Sequence, residues 1–234
     1  MSLLWLDETS DFPPVTLACA DGLLAAGGDL SPARLLRAYR QGIFPWFTPP
    51  DPIVWWSPDP RMVLFTDNIK ISKSLAKTCR KTTLRITFDQ AFEAVMHACA
   101  RPRASQANST GPATWIHADI IQAYVSLYQQ GYAHSVECWR DDHLVGGLYG
   151  VAIGQMFFGE SMFSIERDSS KVALVKLCAA LRQSGFPLID CQVYSSHLES
   201  LGAECIPRQQ FIQLITPLCQ KPQNWPQAEI QTQS

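Results

Sequence analysis

The chain has 234 residues, of which 47% are hydrophobic and 17% charged. That balance excludes an intrinsically disordered chain and allows one large domain, or a large one with a small companion. A net charge of −2 argues against bulk nucleic-acid affinity but leaves room for a local basic patch.

From the N-terminus, Met1 to Asp7 carries no basic residue ahead of an apolar run, so it does not read as a secretory signal. Gly27-Gly28-Asp29-Leu30-Ser31-Pro32 predicts a turn and a helix start, with Ser31 as N-cap and Pro32 in the first helical position. That helix runs through Leu35, Leu36 and Tyr39 and stops near Gly42. Residues 43–47 and 53–61 are aromatic and broken by prolines, which suits turns and short strands. These parts make a small α/β unit expected over residues 1–66.

A larger unit is expected over residues 67–219. Helices are predicted over 69–80, 89–99, 118–130 and 171–184, and strands over 84–88, 133–139, 144–153, 155–159 and 187–193. Residues 101–113, rich in Ser, Pro, Asn and Gly, read as a loop. Residues 220–234, rich in Gln and Pro, read as a loosely held tail. The expected fold class is a mixed α/β (α+β) sheet with helices packed on it.

The eight cysteines include no Cys-x-x-Cys pair, so neither a disulfide framework nor a zinc site is expected. His97 with Cys99 and His134 with Cys138 come nearest to ligand spacing, and buried thiols and ordinary histidines are the plainer reading. No apolar run reaches about 18 residues, so no membrane helix is expected. The chain is expected to be soluble, cytoplasmic and monomeric. Between Ile69 and Arg85 lie six basic residues and no acidic one. Lys73, Lys77 and either Arg80 or Lys81 can share a helix face, either an ordinary solvated surface or a phosphate contact.

Familiar catalytic signatures fail. Gly159-Glu160-Ser161-Met162-Phe163 lacks the closing glycine of a nucleophile elbow. No P-loop is present, and the helix near Lys171 has no glycine-rich phosphate loop before it, which weakens a coenzyme A reading. What remains is a series of unusual strings. They are Gly-Leu-Leu-Ala-Ala-Gly-Gly-Asp-Leu-Ser (22–31), Gly-Ile-Phe-Pro-Trp-Phe (42–47), Trp-Trp-Ser-Pro-Asp-Pro-Arg (55–61) and Thr-Trp-Ile (114–116). Further on come Ala-His-Ser-Val-Glu (133–137), Leu-Val-Gly-Gly-Leu-Tyr-Gly-Val (144–151), Phe-Gly-Glu-Ser-Met-Phe-Ser (158–164) and Ile-Asp-Cys-Gln-Val (189–193). In this order and spacing the chain resembles the leucyl/phenylalanyl-tRNA–protein transferases over residues 20–215.

The resemblance implies an N-acetyltransferase-like larger domain that uses aminoacyl-tRNA in place of acyl-coenzyme A. The implied reaction moves Leu or Phe, less readily Met, to proteins beginning with Arg or Lys and marks them for N-degron degradation. No metal, ATP or other cofactor is implied, because the aminoacyl ester is already activated. Asp190 and Gln192 match the catalytic pair. Two apart on a strand, they should face one side. Gln192 would orient the attacking amine, and Asp190 would polarise Gln192 or favour the developing ammonium. Glu160 would hold either the donor's α-ammonium or the acceptor's guanidinium.

Leu148, Phe157, Gly159, Leu174, Leu177 and Ile189 match the donor side-chain pocket, although Leu177 alone reads as plain core. Trp46 matches a residue that stacks on the 3′-terminal adenosine, with core packing as the alternative. Lys73, Lys77, Arg80 and Lys81 become acceptor-stem contacts, with Arg61 assisting. The chain departs from the family pattern at Leu148, where Met is common, at Ser164-Ile165 and Ser169-Ser170-Lys171, and in the longer loop at 101–113.

Overall fold

The computed structural model describes residues 3–101 and 114–226; residues 102–113 of the expected loop and residues 227–234 of the expected tail lie outside the described residues. The elements are, in chain order, β1 (Leu4–Leu6), β2 (Leu23–Gly27), α1 (Pro32–Arg40), β3 (Phe44–Pro45), β4 (Val54–Trp56), β5 (Arg61–Phe65), α2 (Lys73–Lys81), β6 (Arg85–Phe88), α3 (Phe92–Cys99) and α4 (Ala118–Gln129). They continue with β7 (Ala133–Arg140), β8 (His143–Ile153), β9 (Met156–Ser164), α5 (Ser169–Gln183), β10 (Leu188–Gln192), α6 (Ser196–Ser200), β11 (Glu204–Ile206) and α7 (Arg208–Leu218).

The fold is mixed α/β. A small sheet runs β1-β2-β4-β3, and a larger one runs β11-β5-β10-β9-β8-β7-β6. Helix α1 starts at the expected signal, where Ser31 accepts from the Arg34 N–H; α2, expected from residue 69, starts at Lys73, because Ser72 accepts from the Leu75 N–H and caps it there. Strand β9 runs on to Ser164, past the expected 159, because β8 stays paired with it as far as Gly146↔Ser164.

The first unit was expected to extend to residue 66. Residues 61–65 form β5, which pairs antiparallel with β10 and with β11 in the larger sheet. Helix α7 closes the back of this region. A Cβ at Gly42 (φ +71°) would sit 2.5 Å from Ile212 Cδ1 and 3.1 Å from Phe211 Cε1, so that turn requires glycine. Two strands pair in parallel within the larger sheet: β9 and β10, with Ile189 opposite Phe157 and Asp190 opposite Phe158.

The tail is held as far as it is described. Trp225 is buried among Phe88, Phe157, Phe186 and His134, so residues 223–225 do not behave as the loose tail expected from residue 220. No described helix is long and apolar enough to cross a membrane.

Candidate active site

Where β9 and β10 run side by side, a cavity of about 1020 Å³ opens to solvent. All six residues expected to line a donor pocket face it: Leu148 from β8, Phe157 and Gly159 from β9, Leu174 and Leu177 from α5, and Ile189 from β10. Leu148, Phe157, Leu174, Leu177 and Ile189 are each buried to 4% exposure or less, so they form a floor and walls that water barely reaches. A Cβ at Gly159 would lie 3.4 Å from the Asp190 carbonyl oxygen, an ordinary contact. The backbone would tolerate alanine there, and what glycine provides is room in the cavity. Glu160, Asp190 and Gln192 supply the polar side, and Trp46 stands on the rim at 44% exposure, with its ring centroid 5.9 Å from that of Trp56.

Asp190 and Arg61 are both fully buried. Arg61 donates through Nε to Asp190 Oδ1 at 2.8 Å and through Nη2 to Oδ2 at 2.7 Å, a forked pair across β5 and β10. Its Nη1 donates to the Gly42 carbonyl at 3.0 Å, and the guanidinium lies between the rings of Phe44 and Phe211, 4.8 and 4.7 Å from their centroids. Arg61 was expected to help meet tRNA phosphates. That expectation is corrected: its donors are turned inward and spent within the protein. A buried charge needs a buried partner, and the Asp190 carboxylate is that partner.

The expected strand alternation from Asp190 to Gln192 is also corrected. A bulge interrupts the pairing with β5 between them, and Gln192 adopts φ +63°. A non-glycine residue in this left-handed region costs about 1 kcal/mol or more. Part of that is offset because the Gln192 N–H donates to Asp190 Oδ1 at 2.9 Å. Asp190 therefore touches the backbone of Gln192, and the side chain turns instead toward β9, where Nε2 donates to Glu160 Oε1 at 2.8 Å.

Glu160 is the junction of the polar side. Tyr39 of α1 donates to its Oε1 at 2.7 Å and Tyr124 of α4 to its Oε2 at 3.0 Å, and the two hydroxyls also meet each other. These three groups form a ring with three links. With Glu160 ionised, two hydroxyl protons can fill only two of them; a proton on the carboxyl fills all three. Desolvation by burial pushes the Glu160 carboxyl up to about 7; hydrogen bonds from Tyr39 and Tyr124 oppose this, and the nearby Asp190 charge adds to it. Burial, with the Glu160 charge beside them, also holds both tyrosines well above the ordinary phenol value, so they remain neutral donors. A group poised near neutrality inside a cavity is a frequent mark of chemistry.

Nothing in the sequence pointed to Tyr39 or Tyr124 as site residues: Tyr39 read as part of the first helix, and Tyr124 lies within the helix expected over 118–130. Their one signal is general: a buried tyrosine hydroxyl needs a partner. Tyr149, also against the cavity, has a buried hydroxyl without one. Lys73, Lys77, Arg80 and Lys81 are exposed along α2, and none lines the cavity. Among the described residues no group of three or more His, Cys, Asp or Glu side chains is placed to hold a metal ion. His134 bonds Asp89 at 2.8 Å, and the Cys138 thiol meets the Ser169 carbonyl at 3.2 Å.

Residues 63–216 match the family model for leucyl/phenylalanyl-tRNA protein transferase, and residues 28–59 match that of its N-terminal domain. A transferase of that name from Nitrosomonas europaea is 57% identical over 215 residues, covering 91% of this chain and 89% of that one. Another, from Syntrophus aciditrophicus, is 54% identical over 228 residues, covering 96% and 94%. Among solved structures, a GCN5-related N-acetyltransferase from Kribbella flavida is 11% identical, covers 76% of this chain and 61% of that one, and superposes with a TM-score of 0.38. The C-terminal domain of a putative lysylphosphatidylglycerol synthetase from Agrobacterium fabrum is 13% identical, covers 75% and 57%, and has a TM-score of 0.41. With both family models matched in order and relatives more than half identical along most of its length, the chain belongs to the leucyl/phenylalanyl-tRNA–protein transferase family.

Proposed function

We propose that the chain transfers Leu or Phe, less readily Met, from aminoacyl-tRNA to the α-amino group of proteins beginning with Arg or Lys, marking them for N-degron degradation. The observation that carries this reading is one cavity with an apolar floor for the donor side chain and the Glu160, Gln192 and Asp190 cluster at its polar end.

The aminoacyl ester is already activated, so the chain's task is mainly to position two substrates. An α-amino group has a pKa of roughly 8, which leaves a usable neutral fraction at neutral pH. Its nitrogen forms a bond to the ester carbonyl carbon, the bond to the ribose oxygen breaks, and the proton lost by the amine ends on that oxygen. Gln192 commits its N–H to Glu160, which leaves its carbonyl oxygen to accept from the incoming amine and aim the lone pair. Asp190, held by Arg61, fixes the bulge that turns Gln192 toward Glu160. Glu160 meets the positive charge of a substrate. The apolar floor takes Leu or Phe and disfavours side chains branched at Cβ, a discrimination of about 1–3 kcal/mol.

Trp46 on the rim would stack on the 3′-terminal adenosine, and Lys73, Lys77, Arg80 and Lys81 would meet acceptor-stem phosphates. We take the chain to act as a monomer in the cytoplasm, with its small unit ending before β5 rather than at residue 66. The test is transfer of labelled Leu, Phe and Val from charged tRNA to a peptide beginning with Arg, beside peptides beginning with Asp and Ala. Leu and Phe should appear on the Arg peptide alone. Transfer to the Asp or Ala peptide instead would overturn the acceptor assignment.

A further inference from the structure

The described end of the chain runs past the stretch matched by the family models, which stops at residue 216. It returns to the larger sheet behind the cavity. Gln223 Nε2 donates to the Gly131 carbonyl at 2.8 Å and lies 3.2 Å from His134 Nε2. His134 Nδ1 faces Asp89 Oδ2 at 2.8 Å. With Nδ1–H given to the carboxylate, Nε2 is the acceptor for the second N–H of Gln223. Two residues later the Trp225 indole lies flat on the His134 ring, with centroids 4.0 Å apart and planes 17° apart.

The indole also stacks on Phe157, at 5.4 Å and 24°. Phe157 is the aromatic residue of the cavity floor, opposite Ile189 in the parallel β9–β10 pair. Beside its ring is Gly150, where a Cβ would come within 2.5 Å of Phe157 Cζ. The ring thus fills the space that the absent Gly150 side chain leaves at its edge, and the indole stacks against its face. The Trp225 Nε1–H is buried without a hydrogen-bond partner, a desolvation cost that the ring contacts must outweigh. Stacking is what holds this indole in place.

We infer that Trp225 is a positioning residue for donor selection: clamped on His134, it holds the Phe157 ring as the floor of the cavity and so sets the depth available to the donor side chain. This rests on the reading of the cavity as the donor pocket. Removing the indole lets the Phe157 ring tip into the vacated space. The cavity deepens, which favours the longer Phe side chain over Leu.

The experiment compares kcat and KM for Leu-tRNA and Phe-tRNA, with a peptide beginning with Arg, in the full unaltered chain, Trp225→Ala and Trp225→Phe. Trp225→Ala should shift the Phe-to-Leu ratio of kcat/KM toward Phe by about fivefold or more, mainly through KM, the scale of a small apolar misfit. Trp225→Phe, which keeps a flat plate on Phe157, should stay within about twofold of the unaltered ratio. Should Trp225→Ala not fold, Trp225→Leu keeps the apolar bulk without the flat face and is expected to show the same shift. An unchanged ratio in a folded variant, or an equal loss for both donors, would overturn the inference alone. No transfer by the unaltered chain would overturn the proposed function itself.

Discussion

Replacing Arg61 with alanine separates the phosphate contact expected from the sequence from the buried pair with Asp190 that the structure shows. The side chain is fully buried, and its removal strands the Asp190 carboxylate in the interior with one backbone N–H from Gln192. Breaking one side of a buried pair costs about 3–5 kcal/mol. The value here should fall toward the upper end, because the guanidinium also donates to the Gly42 carbonyl and fills the space between Phe44 and Phe211. In a chain of this size each kcal/mol moves the melting temperature by roughly 2–4 °C, so a cost of about 4–5 kcal/mol should make Arg61→Ala melt roughly 8–20 °C lower. Arg61→Ala combined with Asp190→Asn should recover part of that loss, since the stranded charge is gone. Circular dichroism melts give the stability, and filter binding of aminoacyl-tRNA below the transition gives the affinity. Per molecule still folded, Arg61→Ala should bind tRNA as the unaltered chain does. A variant melting within about 2 °C of the unaltered chain, with tRNA affinity down tenfold, would refute the buried-pair reasoning and restore a phosphate contact.

Two further outcomes follow from the site. The Glu160 carboxyl is raised from its ordinary 4.5 to about 7 in the folded chain. Between those values the folded state keeps a proton that the unfolded state has lost, so the contribution is fully present below about 4.5 and is lost as pH rises to about 7. Glu160→Gln keeps a donor for the tyrosine ring and cannot ionise, so its urea midpoint should fall less between about pH 5 and 8; identical pH slopes in the two proteins would show that Glu160 titrates normally. On α2, Lys77→Ala and Arg80→Ala should each weaken aminoacyl-tRNA binding and reduce its salt slope by about 0.7–0.9, with turnover at saturating tRNA unchanged. An unaltered slope in both variants would put the phosphate contact on another face.

How much of this was legible beforehand depended on how local each feature is. Helix α1 was readable to within a residue, because Ser31, Pro32 and Gly42 act on the backbone beside them. The six residues that line the cavity were legible through resemblance, and the helical pattern alone could not separate Leu177 of the cavity wall from plain core. Strands β1, β2, β5 and β11 and helices α6 and α7 went unread. Several are too short to show a period, and β5 and β11 exist as strands through partners distant in the chain. Arg61 read as a phosphate contact because sequence reports a charge without reporting its burial; only the pairing of β5 with β10 brings it to Asp190. The same limit hid the Tyr39–Tyr124–Glu160 ring, whose members come from three elements up to 121 residues apart. It also hid the left-handed turn at Gln192 and the anchoring of Trp225. Sequence by itself determined which residue types were present and which short segments would be helical, because capping and periodicity act within a few residues. Tertiary structure alone decided which polar groups were desolvated and what satisfied them, because that depends on contacts between elements that sequence order does not specify.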